Sequence, residues 1–129
     1  MHIDNLINGV HDLAKAHPDA KYTRPEIDGE EDPKCYYTRG TAGDGIGCIM
    51  GQAIAVLSMP DHFNIMEYDH EDGSSGVQSV IDDWFHECEP DEESAWHRKA
   101  EWLGAVQHYQ DLGYTWADAV RMSDEVYPL

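Results

Sequence analysis

Residues 40 to 97 of this chain hold thirteen Asp and Glu and no Lys or Arg. This half of the sequence is close to a pure anion, and its self-repulsion works against compaction. The basic residues sit elsewhere: Lys15, Lys21, Arg24, Lys34 and Arg39 before it, Arg98, Lys99 and Arg121 after it. Over the whole chain 26 acids face 8 Lys and Arg, a formal charge of −18, where a small domain ordinarily carries a magnitude of about 2 to 8. Such a charge repels nucleic acid and anionic lipid, so neither direct nucleic-acid binding nor membrane association is expected. Compaction must come from the apolar residues. At 41% hydrophobic, with four Trp, seven Tyr and two Phe among 129 residues, they suffice for the core of a single domain spanning 1–129.

The apolar pattern is mainly helical. Ile3, Leu6, Ile7, Val10, Leu13 and Ala14 recur at helical spacing, which predicts an amphipathic helix over 3–16, stopped by Pro18. Residues 18–33 read as an exposed acidic loop. Cys35 to Thr38 is β-like, and Gly40, Gly43, Gly45 and Gly47 punctuate turns, so a hairpin or edge pair is expected near 34–47. Cys48 to Met59 is apolar on nearly every side and carries the small residues Gly51, Ala53 and Ala55. It reads as a buried central helix ended by Pro60.

Phe63, Ile65 and Met66 then form a short connection, and 67–76 a second exposed acidic loop. Ser74 or Ser75 is placed to cap a helix bearing Val77, Val80, Ile81, Trp84 and Phe85. Pro90 opens a long helix over about 91–112, with acids in its first turn and Trp96, Ala100, Leu103 and Val106 facing inward. Gly113 caps it, and Thr115 with Asp118 starts a last helix packed by Trp116, Ala117 and Val120. The expected fold is mainly α (α+β), a compact domain of four to five helices with one short β element.

Two motifs carry a resemblance. One is Cys48-Ile49-Met50-Gly51-Gln52-Ala53, closed by Leu57. The other runs from Val106-Gln107-His108 through Gln110-Asp111-Leu112-Gly113 to Trp116 and Val120. With the opening Ala16-His17-Pro18-Asp19 and Tyr22, they resemble small uncharacterised proteins of actinobacterial phages and their hosts. The resemblance implies a phage or prophage accessory gene, acting in the host cytoplasm, and supplies no activity. The acidic stretch 61–93 lies outside it. Both motifs also have a packing explanation, with small residues for close helix approach and Gly113 and Thr115 as punctuation.

Each candidate chemistry meets a structural alternative. Three cysteines, Cys35, Cys48 and Cys88, lack the close spacing of a disulfide framework and suit a reducing cytosol. No basic-then-apolar leader is read at the N-terminus. The longest apolar run, Ile46 to Leu57, falls short of the roughly 20 residues a membrane span needs.

Zinc-type ligand pairs are absent, although His62, His70 and His86 could converge with Asp61 or Asp69. A calcium loop with Gly73 in the glycine position would begin at Tyr68 and end at Ser79, neither suited to its post. No metal or cofactor is expected. Cys48 near a helix start has the position of a reactive thiol, but in an apolar segment it reads as a small hydrophobe. Adjacent Asp82 and Asp83 point in different directions on a helix, so they read as a solvated face and not as an acid/base couple.

The Gly40–Gly47 loop with Arg39 and Lys34 superficially suggests an anion cradle, yet it lacks the phosphate-loop pattern and carries Asp44. The acids themselves exceed what helix capping needs. They point to a non-enzymatic protein that meets a basic host protein through Asp69, Glu71, Asp72, Asp82, Asp83, Glu87 and Glu89, in its sharpest form as a DNA mimic or defence inhibitor. Two alternatives stand beside it. One is a protein sequestering a small anion or metal through the glycine loop, Arg39 and the histidines; the other is a homo-oligomeric structural protein.

Overall fold

The computed structural model describes residues 2–23, 37–38, 40–70, 73–74, 77–85 and 93–129. The described residues form a mainly helical fold of five α-helices and two small antiparallel pairs. In order they are α1 (Ile3–Ala16), β1 (Thr41–Ala42), β2 (Gly45–Ile46), α2 (Ile49–Ala55), a 3-10 turn (Ile65–Tyr68), β3 (Asp69–His70), β4 (Gly73–Ser74), α3 (Val77–Trp84), α4 (Glu93–Asp111) and α5 (Trp116–Val126). No helix among the described residues is long and apolar enough to cross a membrane.

The periodicity of α1 does what its spacing demands. Ile3, Leu6, Ile7, Val10 and Ala14 are all buried, and the His2 ring accepts the Asp4 backbone N–H at 3.2 Å to cap its start. Each such aliphatic side chain contributes roughly 1.5–3 kcal/mol through burial. The stripe packs on α2, α4 and α5, while α3 closes on α4. Small residues set the closest approach: a Cβ built on Gly9 would lie 3.5 Å from Ala53 Cβ, so α1 and α2 are nearly in backbone contact there. Gly51 does the same against the Tyr37 segment, where an added Cβ would sit 2.8 Å from Tyr37 Cα.

At the other end the chain ties itself together. The turn after α1 presents the carbonyls of Pro18 and Ala20 to the backbone N–H groups of Ala117 and Trp116 (3.1 and 2.9 Å). Thr115 Oγ1 takes the Asp118 N–H at 3.2 Å, so the first turn of α5 is capped from two directions. The His17 ring stands edge-on to Trp116, 6.2 Å between centroids. Gly113, at φ +96, makes the left-handed turn that ends α4.

One expectation needs correction. The central helix does not run to Met59; it is Ile49–Ala55, and the chain turns at Val56 and Leu57 through a Leu57 N–H to Ile54 O bond of 3.0 Å. Pro60 disfavours helical backbone at Met59, and Val56 is 74% exposed, while Leu57 and Met59 pack partly against the core beyond the helix end. The expected β element near 34–47 is a hairpin over 41–46, with Thr41 paired to Ile46; Tyr37 and Thr38 are not in a strand, and Cys35 and Tyr36 lie outside the described residues. Within the second acidic loop Asp69 pairs with Ser74 and His70 with Gly73. The expected caps and acids at 75–76 and 86–92 lie outside the described residues, as do 24–33 of the first acidic loop.

Candidate functional site

Helix α3 places two of the expected acids. Val77, Val80 and Ile81 are buried on its inner face, with Phe85 just beyond it, and Trp96 of α4 locks the end by donating its indole N–H to Phe85 O at 2.9 Å. With that face fixed, helical geometry turns Gln78, Asp82 and Asp83 to solvent. The two aspartates go to separate partners. Asp82 accepts the Gln78 amide at 2.9 Å, and Asp83 accepts the Tyr68 hydroxyl at 2.7 Å.

Tyr68 is the hinge of this face. Its oxygen also accepts the Trp84 indole N–H at 2.8 Å, so the chain Trp84 to Tyr68 to Asp83 is a directed run of hydrogen bonds. Partial burial first, and then the hydrogen bond to Asp83, push the phenol up to about 12. The hydroxyl is thus held protonated as the donor. Around it lie Phe63, edge-on to Trp84 at 5.0 Å and stacked with Tyr68 at 6.5 Å, and His62, 5.0 Å from Trp84. Met66 stands 65% exposed on the same 3-10 turn. Asp61 and Glu67 are exposed in this segment as well. The result is an aromatic shelf with carboxylates on its rim.

Of the expected acids, then, Asp82 and Asp83 are on one exposed helix face. Asp69 has its backbone in β3, next to the shelf residue Tyr68. Glu71, Asp72, Glu87 and Glu89 lie outside the described residues, as do Lys34, Arg39 and His86. The aromatic half of the site was not read from the sequence. In the sequence Trp84 reads as part of an apolar helix face and Tyr68 as one residue of an acidic loop. An aromatic flanked by Glu67 and Asp69 was the available signal.

The glycine loop has a packing role. Gly47 N–H bonds to Gly40 O at 2.9 Å and Thr41 N–H to Thr23 O at 2.8 Å, while Gln52 donates its amide to Ala42 O and Gly47 O at 2.9 and 3.1 Å. These bonds fold the loop onto the chain. Gly47 sits at φ +91, and a Cβ on Gly45 would come 2.8 Å from Gln52 Nε2.

Cys48 is fully buried at the start of α2, a helix without a side-chain cap of its own. Its first N–H, on Ile49, is taken instead by Gln110 Oε1 of α4 at 2.9 Å, and Gln110 Nε2 donates to Asp111 at 2.8 Å. Among the described residues no three His, Cys, Asp or Glu side chains lie close enough to hold a metal ion. No family model, no curated protein and no solved structure matches this chain.

Proposed function

We propose that this protein is a phage accessory protein without catalytic activity. It binds a basic surface of a host protein through α3 and the Phe63–Tyr68–Trp84 shelf, and it acts as a DNA mimic or defence inhibitor. The observation that carries the reading is the Trp84–Tyr68–Asp83 hydrogen-bond run, which fixes the exposed Asp83 carboxylate at the edge of a half-buried aromatic group. Protein interfaces favour this composition. Tyr, Trp, Phe and Met supply contact area at low entropic cost, and rim charges steer encounter and select the partner. Duplex DNA carries one charge per roughly 1.7 Å of axis, so a cationic DNA-binding groove also accepts a dense array of carboxylates.

The test is charge reversal. Glu67→Lys, Asp82→Lys and Asp83→Lys in one chain should abolish capture of the partner from host lysate, with the helical circular dichroism unchanged. Capture by the parent chain should weaken with salt and with competing duplex DNA. A partner retained by the triple variant at both low and high salt would refute the reading.

A further inference from the structure

A second surface lies on α4 and the end of α5. Glu101, Gly104, Ala105, His108 and Tyr109 of α4, Val126 at the end of α5 and Tyr127 just beyond it line an open groove of about 370 Å³. Its lining is mainly apolar, and Val126 within it is exposed. It is also far less anionic than the 61–92 stretch, which has no Lys or Arg, since residues 93–129 hold six acids against Arg98, Lys99 and Arg121. Gly104 stands in the middle of a 19-residue helix, and a Cβ added to it would meet nothing within 4 Å. The isolated chain gains no packing from this glycine and loses helix stability by keeping it.

We propose that the occupant of this groove is α4 of a second copy, lying antiparallel and crossing at Gly104 and Ala105 about a two-fold axis. Small residues at a crossing let two helices approach closely. The polar side chains on the stripe are self-complementary in that arrangement. Glu101 and His108 flank Gly104 on opposite sides, three and four residues away, and both are exposed. An antiparallel partner therefore brings each copy's Glu101 beside the second copy's His108, and the two-fold repeats the contact. A parallel arrangement would set Glu101 against Glu101. Arg98, one turn earlier, has no carboxylate partner among the described residues, whereas Lys99 pairs with Asp4 and Arg121 with Asp118 and Glu125. The acidic face on α3 belongs to a different element and stays available in the dimer.

Sedimentation velocity decides the matter, on the intact chain and three variants at physiological salt. The parent chain should show a concentration-dependent shift from monomer to dimer. Gly104→Gln fills the crossing and should raise the dissociation constant at least about tenfold with undiminished helical signal, because centrally buried positions dominate such interfaces. Glu101→Lys should do the same, and Glu101→Lys with His108→Glu should restore the dimer by exchanging the pair. A parent chain that stays monomeric up to about 0.1 mM overturns the proposal, since an interface of standard size would be saturated there. A dimer indifferent to Gly104→Gln and Glu101→Lys also overturns it, because association would then use another face.

Discussion

Replacing Gln110 by methionine keeps the length and bulk of the side chain and removes its amide. Gln110 is 1% exposed, and its Oε1 is the acceptor for the Ile49 N–H that opens α2, 61 residues away in sequence. Cys48, at the cap position, offers no side-chain bond in its place, and both residues are fully buried. In Gln110→Met the Ile49 N–H is stranded away from water. Stranding a buried donor costs about 1–3 kcal/mol, and the near-equal volume adds little. In Gln110→Ala a cavity is added to the same loss, for about 3–5 kcal/mol in all. For a domain of this size each kcal/mol moves the midpoint by roughly 3–5 °C. Thermal unfolding followed by far-ultraviolet circular dichroism gives the shift, and amide exchange at Ile49 reports the opened cap directly. Should Gln110→Met unfold within about 0.5 kcal/mol of the parent chain, the cross-helix cap would not be holding α2.

Three further outcomes follow from the packing and the site. Gly51→Ala gains about 1 kcal/mol of helix propensity but drives a methyl into the Tyr37 backbone, so a net loss of roughly 2 kcal/mol is expected in urea titration; a stabilised variant would contradict the contact. Gly104→Ala, with open space around it, should instead stabilise the fold by about 0.5–1 kcal/mol at concentrations where the chain is monomeric. Near-ultraviolet titration should show one of the seven tyrosines ionising near 12, a step absent from Tyr68→Phe and moved downward in Asp83→Asn. Because the phenol is raised above its unfolded value of 10.0, its contribution to stability is complete below that pH and lost as pH climbs toward 12. A titration with no late step would remove Tyr68 from its bridging role.

Local signals were legible where one residue type had one job. Helix α1 followed from its apolar spacing, and the start of α5 from Thr115 and Asp118, because a stripe and a cap are written within a few residues of each other. The end of α2 was not, since an apolar run looks the same whether its last residues are buried or, like Val56, turned out. Gln107 and Gln110 stand in the sequence only as members of a motif, and both are buried; an amide in a helix shows its purpose only once a partner from another element is placed against it. The same holds for Tyr68 and Trp84, 16 residues apart and joined only by the path of the chain. The acids were plain from composition, but only Asp82 and Asp83 among those expected are described as an exposed face.

The tie between the turn after α1 and the start of α5 sets the order in which this chain can mature. Pro18 and Ala20 complete their bonds only with Trp116 and Ala117, almost the whole sequence later. During synthesis α1 emerges first with Ile3, Leu6 and Val10 uncovered, and part of their cover arrives only with α4 and α5. Contacts of such long sequence separation carry a loop-closure cost and slow the final collapse. The nascent chain therefore passes through an open stage that lasts until α5 is available to close it.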